Sequence, residues 1–87
     1  MIGYNESQEL FVSKHDLHIG DKVKLIKSWY KGELGFSYGK SGMPVNLMIG
    51  LVFTVEKINE TSITIVIKNK LGQSEYLKAP YFALEVI

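Results

Sequence analysis

The sequence predicts an all-β fold of five short strands, on three observations. The second half is rich in β-branched and aromatic residues, which suit a pleated, half-buried surface. Apolar and polar residues alternate there with a period of two. The cleanest case is Ser62–Lys68, where Ile63, Ile65 and Ile67 share one face. Turn-forming residues separate the alternating runs: Gly20-Asp21, Asn59-Glu60-Thr61 and Asn69–Gln73.

The elements follow in order. Residues 1–15 read as a polar N-terminal arm, whose small apolar patch Leu10-Phe11-Val12 fits one helical turn or an extra strand. The domain proper spans 16–87. Its first strand, Asp21–Lys27, points Val23 and Leu25 to one face and Lys22 and Lys24 to the other. Ser28–Gly50 is a long loop holding five of the eight glycines, and a loop of that length in a small domain is functional or locally structured. The second strand is Leu51–Ile58, with Leu51, Phe53 and Val55 inward against Thr54 and Glu56. In the third strand, Val66 on the face opposite the isoleucines implies that this side is partly covered as well. Gly72 supplies a positive φ for the turn into the fourth strand, Ser74–Lys78. Ala79-Pro80-Tyr81 then interrupts pairing, because proline has no N–H to give to a ladder, and Ala83–Ile87 is the last short strand.

Composition narrows the function classes. With 87 residues the chain makes one domain near the small end of what folds unaided. It has no cysteine, so neither disulfides nor thiolate zinc sites support it, and the 46% hydrophobic content must supply the core by packing. Ten basic residues against nine acidic ones leave a net charge of +1, which argues against a chain whose main task is to coat phosphate backbones. The opening MIGYNESQEL lacks the basic and apolar regions of a signal peptide. The longest apolar stretch, Val45–Val55, is broken by Asn46, Gly50 and Thr54 and is too short to span a bilayer. A soluble, cytoplasmic protein is the expectation.

The order of strand, long loop, three-stranded meander, proline-containing turn and short final strand resembles a five-stranded SH3-like small barrel over Asp16–Ile87. In the second half, Ser62–Asn69, the turn at Lys70–Gln73, Ser74–Lys78 and Ala79–Ile87 fall in the order of the SH3 hairpin, 3₁₀ turn and closing strand. The first half is similar to a KOW motif, with Gly20, Asp21, Val23, Leu25, Gly32 and Gly35 at that motif's glycine and apolar positions. Ser28 stands where a KOW motif usually has another glycine, and Phe36–Ile49 would be an insertion. The chain departs from peptide-binding SH3 domains at the residues that read proline-rich ligands. Its third strand opens with Ser62-Ile63 rather than a tryptophan, its loop offers only Glu33, and Pro80 is followed by Tyr81-Phe82-Ala83. Proline-motif binding is not expected.

Candidate functional residues concentrate in the long loop. Trp29, Tyr30, Phe36 and Tyr38 are interleaved with Lys27, Lys31 and Lys40, a mixture suited to recognition. The competing reading makes one or two of these rings a plug at the barrel end. Met43-Pro44-Val45-Asn46-Leu47-Met48-Ile49 is apolar where loops are normally polar, so it either folds over the barrel or presents a sticky surface. His15, Asp16, His18 and Asp21 match no metal-ligand spacing and read as surface residues. Glu56, Lys57, Lys68, Lys70, Glu75 and Lys78 read as a solvated face of the meander. There is no phosphate loop, no nucleophile with its base, and no paired carboxylate. The expectation is therefore a non-catalytic protein-binding module without metal or cofactor, a small adaptor or inhibitor similar to accessory proteins of phages. Its partner would dock on Trp29, Tyr30, Phe36, Tyr38, Met43, Met48, Tyr81 and Phe82. The alternative is a KOW-like nucleic-acid-binding protein of transcription or translation, with contacts from Lys22, Lys24, Lys27, Lys31 and Lys40. Self-association is compatible with either.

Overall fold

A computed structural model describes residues 3–29, 36–37, 45–68 and 71–87. A helix, α1 (Tyr4–His15), precedes five strands: β1 (Lys22–Leu25), β2 (Val52–Ile58), β3 (Ile63–Lys68), β4 (Ser74–Ala79) and β5 (Leu84–Val86). Two 3₁₀ turns, Val45–Met48 and Tyr81–Ala83, precede β2 and β5. The strands form one antiparallel sheet in the order β4-β3-β2-β1-β5. β4 and β5 are its edges, and no ladder joins them among the described residues. Among the described residues the sheet is therefore open rather than ring-closed.

The strand boundaries follow the turn residues closely. Gly20, at φ +98°, makes the sharp turn into β1 and donates its N–H to Val55 O at 2.8 Å. Asp21 holds the same turn from the other side, its Oδ2 accepting the His18 N–H at 2.8 Å. At the β2–β3 hairpin, Asn59 donates its N–H to Ser62 O at 2.8 Å and its side-chain amide to the Ser62 and Thr64 hydroxyls. Gly72, at φ +80°, lies in the β3–β4 turn. After Pro80 the chain makes its 3₁₀ turn and returns beside β1, where Ile26 N–H bonds Ala83 O at 2.8 Å.

Alternation puts one face of the sheet into a single core. Val23, Leu25, Phe53, Val55, Ile63, Ile65, Leu77, Ala79 and Leu84 are all buried, and Ile67 and Val86 pack against them partly buried. Two face assignments change. Leu51, expected inward, is exposed because it precedes the first residue of β2 and its backbone turns towards β1. Glu75, expected on the solvated face, is buried because it shares parity with Leu77 and Ala79 along β4. Glu56 and Lys57 are both exposed, since the register shifts between Val55 and Lys57 and the alternation is reset there. Lys70 lies outside the described residues.

The N-terminal segment is a 12-residue helix rather than an arm with one turn. It stops at Asp16, which takes the left-handed conformation (φ 50°), and Leu17 N–H reaches back to Val12 O at 2.9 Å. Leu17 is thereby buried, and Phe11 and Val12 pack against the core. Phe11 also meets Tyr81 of the second 3₁₀ turn, with ring centroids 5.6 Å apart. The polar fastening is Gln8, only 2% exposed, whose Nε2 donates to Asn59 O at 2.6 Å and lies 3.4 Å from Glu60 O and Ser62 O. One side-chain amide thus fixes the helix to the carbonyls of the β2–β3 hairpin.

Removing that donor leaves the part-buried Asn59 carbonyl without this partner, which costs about 1–3 kcal/mol. Gln8→Ala is expected to lower the free energy of urea unfolding by that amount. Gln8→Glu, of nearly the same shape but presenting a carboxylate to the same carbonyls, should cost at least as much. A Gln8→Glu protein as stable as the wild type would rule out the fastening.

Candidate interaction surface

Three segments far apart in sequence meet where β1 ends. Leu25 N–H bonds Leu51 O at 3.0 Å, Gly50 N–H bonds Leu25 O at 2.7 Å, and Ile26 N–H bonds Ala83 O at 2.8 Å. These bonds place residues 26–27, 47–52 and 81–83 side by side. Four large apolar side chains there are exposed: Ile26 (44%), Ile49 (47%), Leu51 (42%) and Phe82 (42%). Leu47, at the rim, is exposed at 66%. Isolated exposed apolar residues are ordinary; these four lie on segments that backbone hydrogen bonds bring together, which makes them a candidate contact surface.

The local backbone explains which loop residues face out. Val45–Met48 is a 3₁₀ turn, in which residues three apart lie on the same side. Val45 and Met48 accordingly enter the core while Asn46 and Leu47 face outward. Ile26 continues the outward parity of Lys22 and Lys24 one step past β1. Phe82 is held by its neighbours: Tyr81 meets it edge-on with centroids 5.7 Å apart, and the Lys27 ammonium sits 5.7 Å above the ring. At an exposed site such a cation–π contact is worth about 0.5–1 kcal/mol. Among the described residues the patch is therefore apolar with one ammonium, Lys27, on it. It can lose water against a complementary surface.

The sequence-predicted partner-binding residues divide. Tyr81, half-buried, and Phe82 stand at this surface. Trp29, Phe36 and Met48 do not: they are 6%, 4% and 1% exposed and belong to the core cluster, so the plug reading describes the two rings and the inward-folding reading of the apolar segment describes Met48. Tyr30, Tyr38 and Met43 lie outside the described residues. Of the lysines, Lys22, Lys24 and Lys27 are exposed, whereas Lys31 and Lys40 lie outside the described residues. Ile26, Leu51 and, in part, Ile49 are exposed here without having been singled out from the sequence. Extending the Lys22/Lys24 alternation by one step would have found Ile26. Near the helix end, His18 Nε2 lies 3.7 Å from Asp16 Oδ1, and both side chains are exposed. Asp21 is engaged with the His18 backbone instead. Among the described residues no three of His, Asp or Glu are grouped to hold a metal ion.

No protein-family model, curated protein or solved structure matches the chain.

Because the Trp29 ring lies in the core, Trp29→Ala should destabilise the domain by about 3–5 kcal/mol, as truncating a buried aromatic does. Urea unfolding followed by far-ultraviolet circular dichroism reads this. A mutant with an unchanged midpoint would return Trp29 to the list of surface anchors.

Proposed function

We propose that this protein is a non-catalytic protein-binding module, a small cytoplasmic adaptor or inhibitor on an SH3-like scaffold whose partner docks on Ile26, Ile49, Leu51 and Phe82. The observation that carries the reading is the convergence of those four exposed apolar side chains from three separate segments. Aromatic and large aliphatic side chains dominate the energetics of interface cores, and fully burying one contributes about 1.5–3 kcal/mol. The near-neutral net charge agrees with a partner held by apolar contact rather than by a long-range field.

The strand order β4-β3-β2-β1-β5, with a 3₁₀ turn before the last strand, supports the SH3-like reading. It also explains why the patch takes this form. A long excursion leaves the end of β1 and returns to β2, while the final strand returns beside β1, so all three strand ends contribute side chains at one place. Proline-rich peptides are not the partner on this reading, since the residues that would read them are absent. The analogy with phage accessory proteins that modulate a host machine suits a free-standing module of this size.

Affinity recovery from nuclease-treated cell lysate tests the proposal. The wild-type protein should retain a discrete protein after nuclease treatment. Phe82→Asp and Ile49→Asp, both at exposed positions, should keep the fold by circular dichroism and lose that protein at least tenfold. Recovery that disappears with nuclease, or that survives both substitutions, would remove this surface as the docking site.

A further inference from the structure

The face of the sheet turned away from the core has Ile26 at the end of β1 and carries a second surface, centred further along on Tyr76 and independent of the reading of the apolar patch. The ladder registers place Lys22, Thr54, Val66 and Tyr76 in one row across β1, β2, β3 and β4. Lys22 lies along that row, its Nζ donating to Thr54 Oγ1 at 2.6 Å. An ammonium has three donors, and this bond uses one. The row ends at Tyr76, whose side chain is half exposed (50%). Val52, Thr54 and Val66 floor a groove of ≈ 460 Å³ running between Lys22, Lys68 and Tyr76.

Charge on this face is not balanced strand by strand. Lys24 sits opposite Glu85 on β5, a pairing that offsets both. Lys22 instead faces Thr54, Lys68 faces Ser74 and Lys78 faces Thr64. Among the described residues these three ammonium groups have no carboxylate across the ladder, and Glu56 is the one acid lining the groove. Lys78 lies two residues from Tyr76 on the same face of β4, and Lys68 is its diagonal neighbour on β3. The carboxylates Glu6 and Glu9 of α1 and Glu60 of the β2–β3 turn lie instead at the helix-capped end, where Gln8 joins the two elements. A net charge near zero therefore conceals a sheet face with a positive excess.

We infer that this face binds single-stranded nucleic acid, with Tyr76 as a stacking platform and Lys22, Lys68 and Lys78 as phosphate contacts. Three features favour that occupant over an acidic peptide. A half-exposed ring on an open sheet offers a π-face to any base. Lysines on the same face meet a backbone that runs past the ring as point charges. The shallow aliphatic floor supplies contact without hydrogen-bond readout. Binding is accordingly weak and indifferent to sequence. With three phosphate contacts, the logarithm of affinity should fall with the logarithm of salt at a slope of about −2.

Fluorescence anisotropy with a labelled oligothymidylate of about a dozen nucleotides tests this, a length within the range such sites cover. The wild-type protein should bind at low salt with that slope. Tyr76→Phe should bind within about twofold of wild type, and Tyr76→Ala about tenfold more weakly, the loss of one stacked base. Lys68→Glu together with Lys78→Glu should abolish binding while leaving the circular dichroism spectrum unchanged. Phe82→Asp should bind the oligonucleotide as the wild type does, which separates this site from the apolar patch. The inference is overturned by no binding at low salt, by a Tyr76→Ala protein that binds normally, or by equal competition from oligoglutamate, which would make the face a simple anion surface.

Discussion

The fold depends on four residues being paired on both sides. β1 is held by β2 along one edge and by β5 along the other, so Val23 stands between Phe53 and Val86. Both its inward side chains, Val23 and Leu25, are fully buried. Neither ladder is local: β1 and β5 are joined only by bringing the two ends of the chain together, which carries the loop-closure cost of nearly the whole domain. With no disulfide to reduce that cost, the side chains packed along β1 must offset it. The surfaces follow from the same pairing. The loop that leaves β1, the turn that enters β2 and the turn that enters β5 all meet at its end, and Lys22 and Lys24 project from its back.

A domain this small builds its core from loop segments as well as from strands. The core takes Trp29, Phe36, Val45 and Met48 from the long excursion, residues that a loop in a larger protein would be free to present. What remains outside is decided by backbone geometry rather than by hydrophobicity. Met48 is inside and its neighbours Leu47 and Ile49 are outside, although all three are large and apolar. The same holds at the other end of the patch, where Ala83 is buried and Phe82 is not. The larger side chain lies outside because the 3₁₀ turn before β5 aims it there, next to Lys27 and Tyr81.

Much of this was legible in the sequence, and the failures have physical causes. The strands could be read because their signal is local: alternation of Ile63 and Ile65 against Thr64, a glycine or asparagine at each turn, and Pro80 as a stop. α1 could not be read as a full helix, because Leu10, Phe11 and Val12 are consecutive and do not form a helical stripe. Its stability comes from tertiary partners: Gln8 on the hairpin carbonyls and Phe11 on Tyr81. Nothing near Gln8 in sequence announces either. The site was half visible for the same reason. Tyr81 and Phe82 were chosen as aromatics after a proline, and they do stand at the surface. Trp29 was chosen as a hot-spot residue type, yet type does not say which way a ring points. The row from Lys22 to Tyr76 was invisible as a row, because register across four strands is set by hairpin geometry and by the irregularity between Val55 and Lys57.

The central claim is that the core takes Trp29 and leaves the end of β1 to Ile26, Ile49, Leu51 and Phe82. Trp29 is the only tryptophan, so the fluorescence of the unmodified protein reports on that claim directly. The account predicts a blue-shifted emission maximum, weak collisional quenching by iodide and acrylamide, and a shift to the red only as the domain unfolds in urea. Emission from the native protein at the wavelength of a water-exposed indole, quenched as freely as the free amino acid, would contradict it.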